Sequence, residues 1–358
     1  EDLKADLDYD PLVKFEKFMV KNNILSVKAI DSFKSKIVEE IDSYAEWGLD
    51  QEDPSSDSAM ENILCIDEFE YKDPSYVSNE KVVMVDQINH ALDEELNYND
   101  KMIIYGQDVA DGKGGVFTVT RGLSTKYGET RVFNSPLAES SIIGTAVGLA
   151  TLGYKPVVEI QFGDYIWTSM MQIRNEVSVM RYRSNNEWNS SMVIRVPVGG
   201  YIHGALCHSQ SIDGYFIHMP GIYIAYPSNA RDAKGLLKMA CRMNDPVIFM
   251  EHKGLYRQPY ASTEEPGKNY VLPFGKANYI TTGDCLTLIC WGAMVQKSLE
   301  STHQIGLEEN IVDCLNRIST EKVKELLLKS SHSKIILQLE SNIEQHQQHQ
   351  EKIKEELQ

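Results

Sequence analysis

Apolar residues near the start of the chain follow a helical rhythm. Leu12, Phe15, Phe18 and Met19 fall at i, i+3, i+6 and i+7, and Ile30, Phe33, Ile37 and Ile41 repeat at threes and fours. Residues 11–47 therefore predict two helices, the second opening near Ser26. The polar run "GLDQEDPSSDSAMEN" predicts a linker, which "FEYKDPSYVSNE" continues. From Lys81 the texture changes. A helix is expected at 84–96, then a strand "MIIYG", a glycine-rich loop "DVADGKGGVF", a strand "RVFN" and a helix from Glu139. A strand "KPVVEIQF", a helix around 165–182 and a strand "SMVIRVP" follow. After a Gly/His-rich loop come "IYIAYP", the helix "NARDAKGLLKMACRM" and the strand "PVIFME". Short β-rich runs alternating with helices predict an α/β domain built on a mostly parallel sheet, whose ligands sit outside the carboxyl ends of the strands. Near residue 276 a second, smaller α/β pattern begins, with strands "CLTLICWG" and "SKIILQLE", a helix "TEKVKELLLKS" and a polar Gln/His-biased tail.

Charge sharpens this division. The net charge is −17, and residues 1–80 carry −13 of it, with 21 acidic residues against 8 lysines and no arginine. Phosphate neutralisation needs a basic face, so nucleic acid is not an expected partner. No run of about 18 uninterrupted apolar residues predicts a membrane span. The opening "EDLKADLDYD" has the character of neither a signal nor a transit peptide. Six scattered cysteines without a CxxC suit reduced thiols in a cytoplasmic setting and predict no zinc site.

Three stretches could carry chemistry. In "NSPLAESSIIGTAVGLATLG" a single carboxylate, Glu139, precedes small and apolar residues. Acidic residues are favoured in the first turn of any helix, and Ser135 with Pro136 can serve as a start signal, so a structural role suffices. A carboxyl in an apolar pocket, however, can hold or share a proton. In "GGYIHGALCHSQ" two histidines, His203 and His208, lie in a glycine-rich loop after a strand. Their spacing is not that of the helical HExxH metal pattern, which leaves acid/base work or ligand contact. "EIQFGDYIW" places Gln161 at a strand's carboxyl end, with Phe162, Tyr165 and Trp167 as core or ligand aromatics. "DGKGGVF" lacks both GxxxxGK[ST] and GxGxxG, and Lys234 and Gly235 read as packing residues.

Taken in order, "YGQDVADGKGGVFTVTRGLSTKYGETRVFNSPLAES", "EIQFGDYI", "HGALCHSQ", "PGIYIAYPSNARDAKGLLKMA" and "PVIFMEHKGLYR" resemble the β subunit of a 2-oxoacid dehydrogenase E1 component, nearest to the branched-chain type. The likeness is dense over 81–260 and weaker to about 340. It implies a transketolase-like fold: a pyrimidine-binding domain at 81–275 and a smaller C-terminal domain at 276–358, short or incomplete. It also implies thiamine diphosphate as cofactor and oxidative decarboxylation of a 2-oxo acid, with acyl transfer to a lipoyl-bearing E2 acyltransferase. By the same resemblance Glu139 would hydrogen-bond the cofactor's pyrimidine N1′ from an apolar setting. Leu137 would touch the ring through its carbonyl, and Gln161, Phe162 and Tyr165 would line the cofactor. His208 would carry a proton near the acyl group. A potassium ion would sit on main-chain oxygens near "SSMVIRVP" and "ACRMND".

The family holds the diphosphate and Mg²⁺ with a GDG motif on its α chain, and no GDG occurs here. Cofactor binding would then need an α-type domain. The leader, residues 1–80, resembles the end of such an α chain, which implies the C-terminal part of a fused α–β E1 that forms a homodimer or an α2β2-like assembly. Pyruvate as substrate, a transketolase-like sugar enzyme and a non-catalytic assembly module remain alternatives. The "HGALCHSQ" and "DAKGLL" stretches speak against the sugar enzyme, and the retained Glu139, Gln161 and His208 against the assembly module.

Overall fold

The computed structural model describes residues 9–65, 74–283, 286–305 and 309–313. The chain divides into two compact units, Glu1–Met60 and Glu61–Gln358. The first holds helices α1 (Pro11–Lys21) and α2 (Val27–Leu49). Asp10 caps α1 by accepting from the Leu12 N–H at 2.7 Å, and Ser26 caps α2 by accepting from Ala29, as short polar side chains do at helix starts. Only Ile30 of α2 is buried, and Phe15, Phe33, Ile41 and Trp47 are exposed.

In the second unit β1 (Tyr76–Val82) leads to helix α3 (Met84–Tyr98), followed by β2 (Met102–Gly106) and β3 (Val132–Asn134). Helix α4 (Glu139–Thr151), β4 (Lys155–Glu159), β5 (Val193–Val198) and β6 (Tyr223–Ala225) come next. Helix α5 (Ala230–Arg242), β7 (Val247–His252) and β8 (Thr263–Pro266) complete the main body. Strands β2 to β7 form one six-stranded sheet in the order β3-β2-β4-β5-β7-β6, every pair parallel. Side chains alternate across it. Ile104, Val157, Val193 and Phe249 pack under α3 and α5, while Val158, Ile194 and Met250 pack under α4. The result is a three-layer α/β/α body whose strands are buried on both faces, which explains their unbroken apolar runs.

Helices α3 and α5 are tied by charge as well as by apolar contact. Lys234 donates to Glu94 at 2.7 Å and to Glu265 at 2.8 Å, Lys238 donates to Glu94, and Arg242 pairs with Glu95 at 2.7 Å. Lys234 therefore has a packing role.

Two expectations about elements are corrected. Residues 76–80 are not linker but the larger part of β1, which pairs antiparallel with β8 in a two-stranded ribbon. Six of its seven residues are exposed, so no inside–outside alternation marks it in the sequence. The helix expected at 165–182 is broken into a 3₁₀ helix (Gly163–Ser169), a short α turn, a π turn (Ile173–Val177) and a further α turn. Thr168 and Ser169 hydroxyls lie 3.0 and 2.8 Å from the carbonyls three residues back, local bonding that favours the tighter winding.

After β8 the chain forms β9 (Asn278–Thr281), β10 (Leu286–Cys290), helix α6 (Ala293–Ile305) and β11 (Glu309–Asp313). They make a separate sheet in the order β10-β11-β9, with β10 and β11 parallel. The strand expected at "SKIILQLE", the helix at "TEKVKELLLKS" and the Gln/His tail lie outside the described residues. No helix among the described residues is long and apolar enough to cross a membrane.

Candidate active site

The chain leaves β2 toward β3 on one side of the sheet and leaves β4 toward β5 on the other. Loops that part in opposite directions open a crevice at the carboxyl ends of β2 and β4, the usual ligand position in such sheets. Gln107 and Asp108 follow β2, and Gln161 and Phe162 follow β4. Gln161 Nε2 donates to Asp108 Oδ2 at 2.9 Å, spanning this crevice, and Lys113 Nζ reaches the same oxygen at 2.9 Å.

Glu139 opens α4 beside the crevice. The helix N-cap is Ala138, which makes no side-chain capping bond, and Ser135 donates to the Pro136 carbonyl instead of capping. The carboxylate sits where the helix dipole and free N–H groups favour negative charge. Oε1 accepts from Gln107 Nε2 at 3.1 Å, and Oε2 lies 3.1 Å from Thr168 Oγ1. The apolar pocket expected around Glu139 is thus corrected to a half-buried, polar one, because Gln107 and Thr168 both point at it. Leu137, two residues earlier and just outside the helix, is 81% exposed.

A cluster of rings forms the adjoining wall. The buried Phe162 meets His208 edge-on with centroids 4.3 Å apart, and Tyr165 and Phe117 each at 5.9 Å. Tyr165 Oη and His208 Nε2 are 3.1 Å apart, and His208 Nδ1 lies 3.2 Å from the Gly204 carbonyl. A carbonyl only accepts, so Nδ1 carries the proton in the neutral ring and Nε2 takes the Tyr165 hydroxyl. His208 is half-buried, whereas His203 is exposed. The structure therefore gathers Glu139, Gln161, Phe162, Tyr165 and His208 at one end of the sheet.

Beneath the crevice lies a buried ion cluster. Arg195 of β5 donates to both Glu251 oxygens of β7 at 2.7 and 2.9 Å, and to Glu159 of β4 at 2.7 Å. Glu251 also accepts from Tyr256 Oη at 2.6 Å. Burial pushes the Glu159 carboxyl above the usual range, with Arg195 opposing. Burial alone would lower the Arg195 pKa, but the two carboxylates hold it high. The glycine-rich loop closes over this end. Gly114 has φ +68°, and a Cβ there would fall 2.6 Å from Arg121 Cα, so the loop is a compact fold-back. Asp111 staples it, accepting from Thr125, Gly122 and Ser124. These bonds, Thr125 first, lower its pKa to about 2.

Comparison with known proteins decides the family. Residues 80–259 match the transketolase pyrimidine binding domain. The chain is 41% identical over 263 residues to the 2-oxoisovalerate dehydrogenase subunit beta of Bacillus subtilis, covering 73% of this chain and 80% of that protein. It is also 41% identical over 236 residues to the pyruvate dehydrogenase E1 component subunit beta of the same organism, covering 65% and 72%. The chain belongs to the 2-oxoacid dehydrogenase E1 β family. A solved split gene transketolase, an inactive beta4 tetramer, shares the fold at TM-score 0.54 and 21% identity, covering 71% of this chain and 77% of that one.

For this E1 β-type chain, sequence reasoning missed Gln107 and Thr168. Nothing in either residue type announces a role, and only the strand-end position of Gln107 hinted at one. Near the stretches named for potassium, Lys155 Nζ donates to Ser191 Oγ and to the Met243 carbonyl, both at 2.8 Å. The Met243 carbonyl is therefore already taken by an ammonium.

Proposed function

We propose that this chain is the β-type half of a thiamine diphosphate-dependent E1 that decarboxylates branched-chain 2-oxo acids and passes the acyl group to a lipoyl-bearing E2 acyltransferase. One observation carries the reading: a half-buried carboxylate, Glu139, presented at the sheet's crevice by Gln107 and Thr168, next to an aromatic wall that ends in His208. A planar, nitrogen-rich ring fits this pairing of wall and carboxylate. Glu139 would hold the aminopyrimidine, with Leu137, Gln161, Phe162 and Tyr165 around it. Thiamine diphosphate supplies the carbanion chemistry. His208, with Nε2 turned to the Tyr165 hydroxyl, is suited to receive or return a proton beside the acyl group.

The diphosphate and Mg²⁺ belong, on this reading, to an α-type domain, since no GDG motif occurs here. The helical leader at 1–80 would then be the end of a fused α part, followed by the pyrimidine domain at 81–275 and the C-terminal domain at 276–358. The test is calorimetry with thiamine diphosphate and Mg²⁺. No binding by this chain alone, and tight binding once an α-type E1 domain is added, is the expected result; tight binding by the chain alone would sink the split site. Glu139→Gln in the reconstituted enzyme should lower kcat by at least about 10²-fold, the scale of one acid–base group. Equal identity to a pyruvate relative favours a second substrate reading, which the ratio of kcat/KM for 2-oxoisovalerate and pyruvate decides.

A further inference from the structure

Lys155 opens β4 at the amino end of the sheet, opposite the crevice. It is 5% exposed, so its charge is held away from water. Nζ donates to Ser191 Oγ and to the Met243 carbonyl, both at 2.8 Å, and Ser191 Oγ donates to the same carbonyl at 2.8 Å. The hydroxyl thus gives its proton to the carbonyl and turns a lone pair to the ammonium. Met243 is the C-cap residue of α5, and Ser191 lies just before β5. One ammonium therefore holds the start of β4, the approach to β5 and the end of α5 together.

The surroundings favour positive charge for a reason of their own. Tyr98 of α3, Thr151 of α4 and Cys241 of α5 line one cavity of about 590 Å³, together with Lys155, Ser191 and Met243. Three helices thus bring their carboxyl ends to one place. There the last carbonyls are left over from helical bonding, and the dipoles point their negative ends. Withdrawing an ammonium from water is costly unless fixed oxygens replace its hydration, and a methionine would fill the same space without that cost. The charge of Lys155, rather than its stem, accounts for a lysine here. Ser191 and Met243 belong to the two stretches named for potassium, and ammonium and potassium are close in size. We propose that Lys155 is a tethered cation: its ammonium fills the position of a monovalent ion at the base of the sheet, and the chain takes up no free ion there. A second cation would meet the repulsion of the first at close range. The inference rests on Lys155 and its oxygens, not on the E1 reading.

The test measures Tm of the full chain in potassium, ammonium and choline chlorides at equal ionic strength, choline being too large to enter. The wild type should melt within about 1 °C in all three. Lys155→Ala removes the ammonium and its stem, and it should melt lower than the wild type in choline chloride. Potassium or ammonium should then raise its Tm by roughly 3–6 °C at a concentration about tenfold above the dissociation constant. Lys155→Met, whose side chain still fills the space, should show no such rise. A potassium-specific rise in the wild type, the same Tm for Lys155→Ala in all three salts, or an equal rise in Lys155→Met overturns the proposal. If Lys155→Ala does not fold in choline chloride, the fraction refolded in each salt is read instead, and equal fractions overturn it. Thiamine diphosphate is absent throughout, so failure here leaves the E1 reading untouched.

Discussion

Arg195 gives the sharpest test of how the crevice is supported. Its guanidinium is fully buried and holds Glu159 and Glu251 through three short charge-assisted bonds, tying the carboxyl ends of β4, β5 and β7 together. Arg195→Met removes the cation and keeps roughly the same length of side chain. It strands two carboxylates that are at most 3% exposed. Breaking a buried pair from one side costs about 3–5 kcal/mol, because the remaining charge stays desolvated. At about 2–4 °C per kcal/mol for a unit of a few hundred residues, Tm should fall by roughly 6–20 °C. Burial already raises the Glu159 pKa, and without Arg195 nothing opposes that rise, so its folded pKa lies above its unfolded one. The variant then loses stability as pH rises through the carboxylate range, and its deficit shrinks on acidification. Scanning calorimetry of wild type and variant at pH 5 and pH 8 reads both effects. Adding Glu251→Gln to Arg195→Met should restore part of the loss. A Tm change below about 2 °C, or a deficit that does not narrow at the lower pH, would refute the idea that this cluster carries uncompensated buried charge.

Three further outcomes follow from particular contacts. Burial, with Lys253 adding to it, lowers the His252 pKa to about 4 from 6.5, so the unfolded chain binds the proton first. Stability should be full above about pH 6.5 and decline by roughly 3 kcal/mol as pH falls through 4, a loss that His252→Gln should reduce in acid denaturation curves. Gly221 has φ +90°, and a Cβ there would lie 1.9 Å from the Ser178 carbonyl oxygen, so Gly221→Ala should cost about 3 kcal/mol or more in urea unfolding. With Lys155 on the Met243 carbonyl, Tm should be the same within about 1 °C in potassium and sodium chloride, and a rise specific to potassium would contradict the fixed-cation reading.

The parallel sheet was legible because its strands are buried on both faces, and "MIIYG" is β2 residue for residue. Helix α3 opens where its apolar period starts, at Met84. Strand β1 was not legible, since a ribbon exposed on both faces leaves no alternation to read. The breaks after Gly163 depend on hydroxyls turning back on their own carbonyls, a choice that periodicity does not encode. At the candidate site, Glu139 stood out as a lone charge before small residues, and His208 stood out by its loop. Gln107 and Thr168, which orient Glu139, are ordinary polar residues that acquire a role only when β2 and the 3₁₀ turn meet. The Arg195 cluster joins residues from three strands, so no local window contains it.

The ribbon of β1 and β8 also bears on how the chain is made. Lys81 pairs with Glu264, and the apolar face of α3 packs with α5, whose residues come well over a hundred positions later. At bacterial or eukaryotic synthesis rates of about 5–20 residues per second, β1 waits roughly 10–35 s for its partner after leaving the ribosome. During that time Met84, Ile88, Leu92 and Leu96 can pack on β2 and the residues just after it but lack the α5 part of their core. Part of the α3 face therefore stays uncovered until α5 is made, and for that time the nascent chain is open to misassociation. Slower translation lengthens that window, and a holdase that recognises the segment around α3 would shorten its effect.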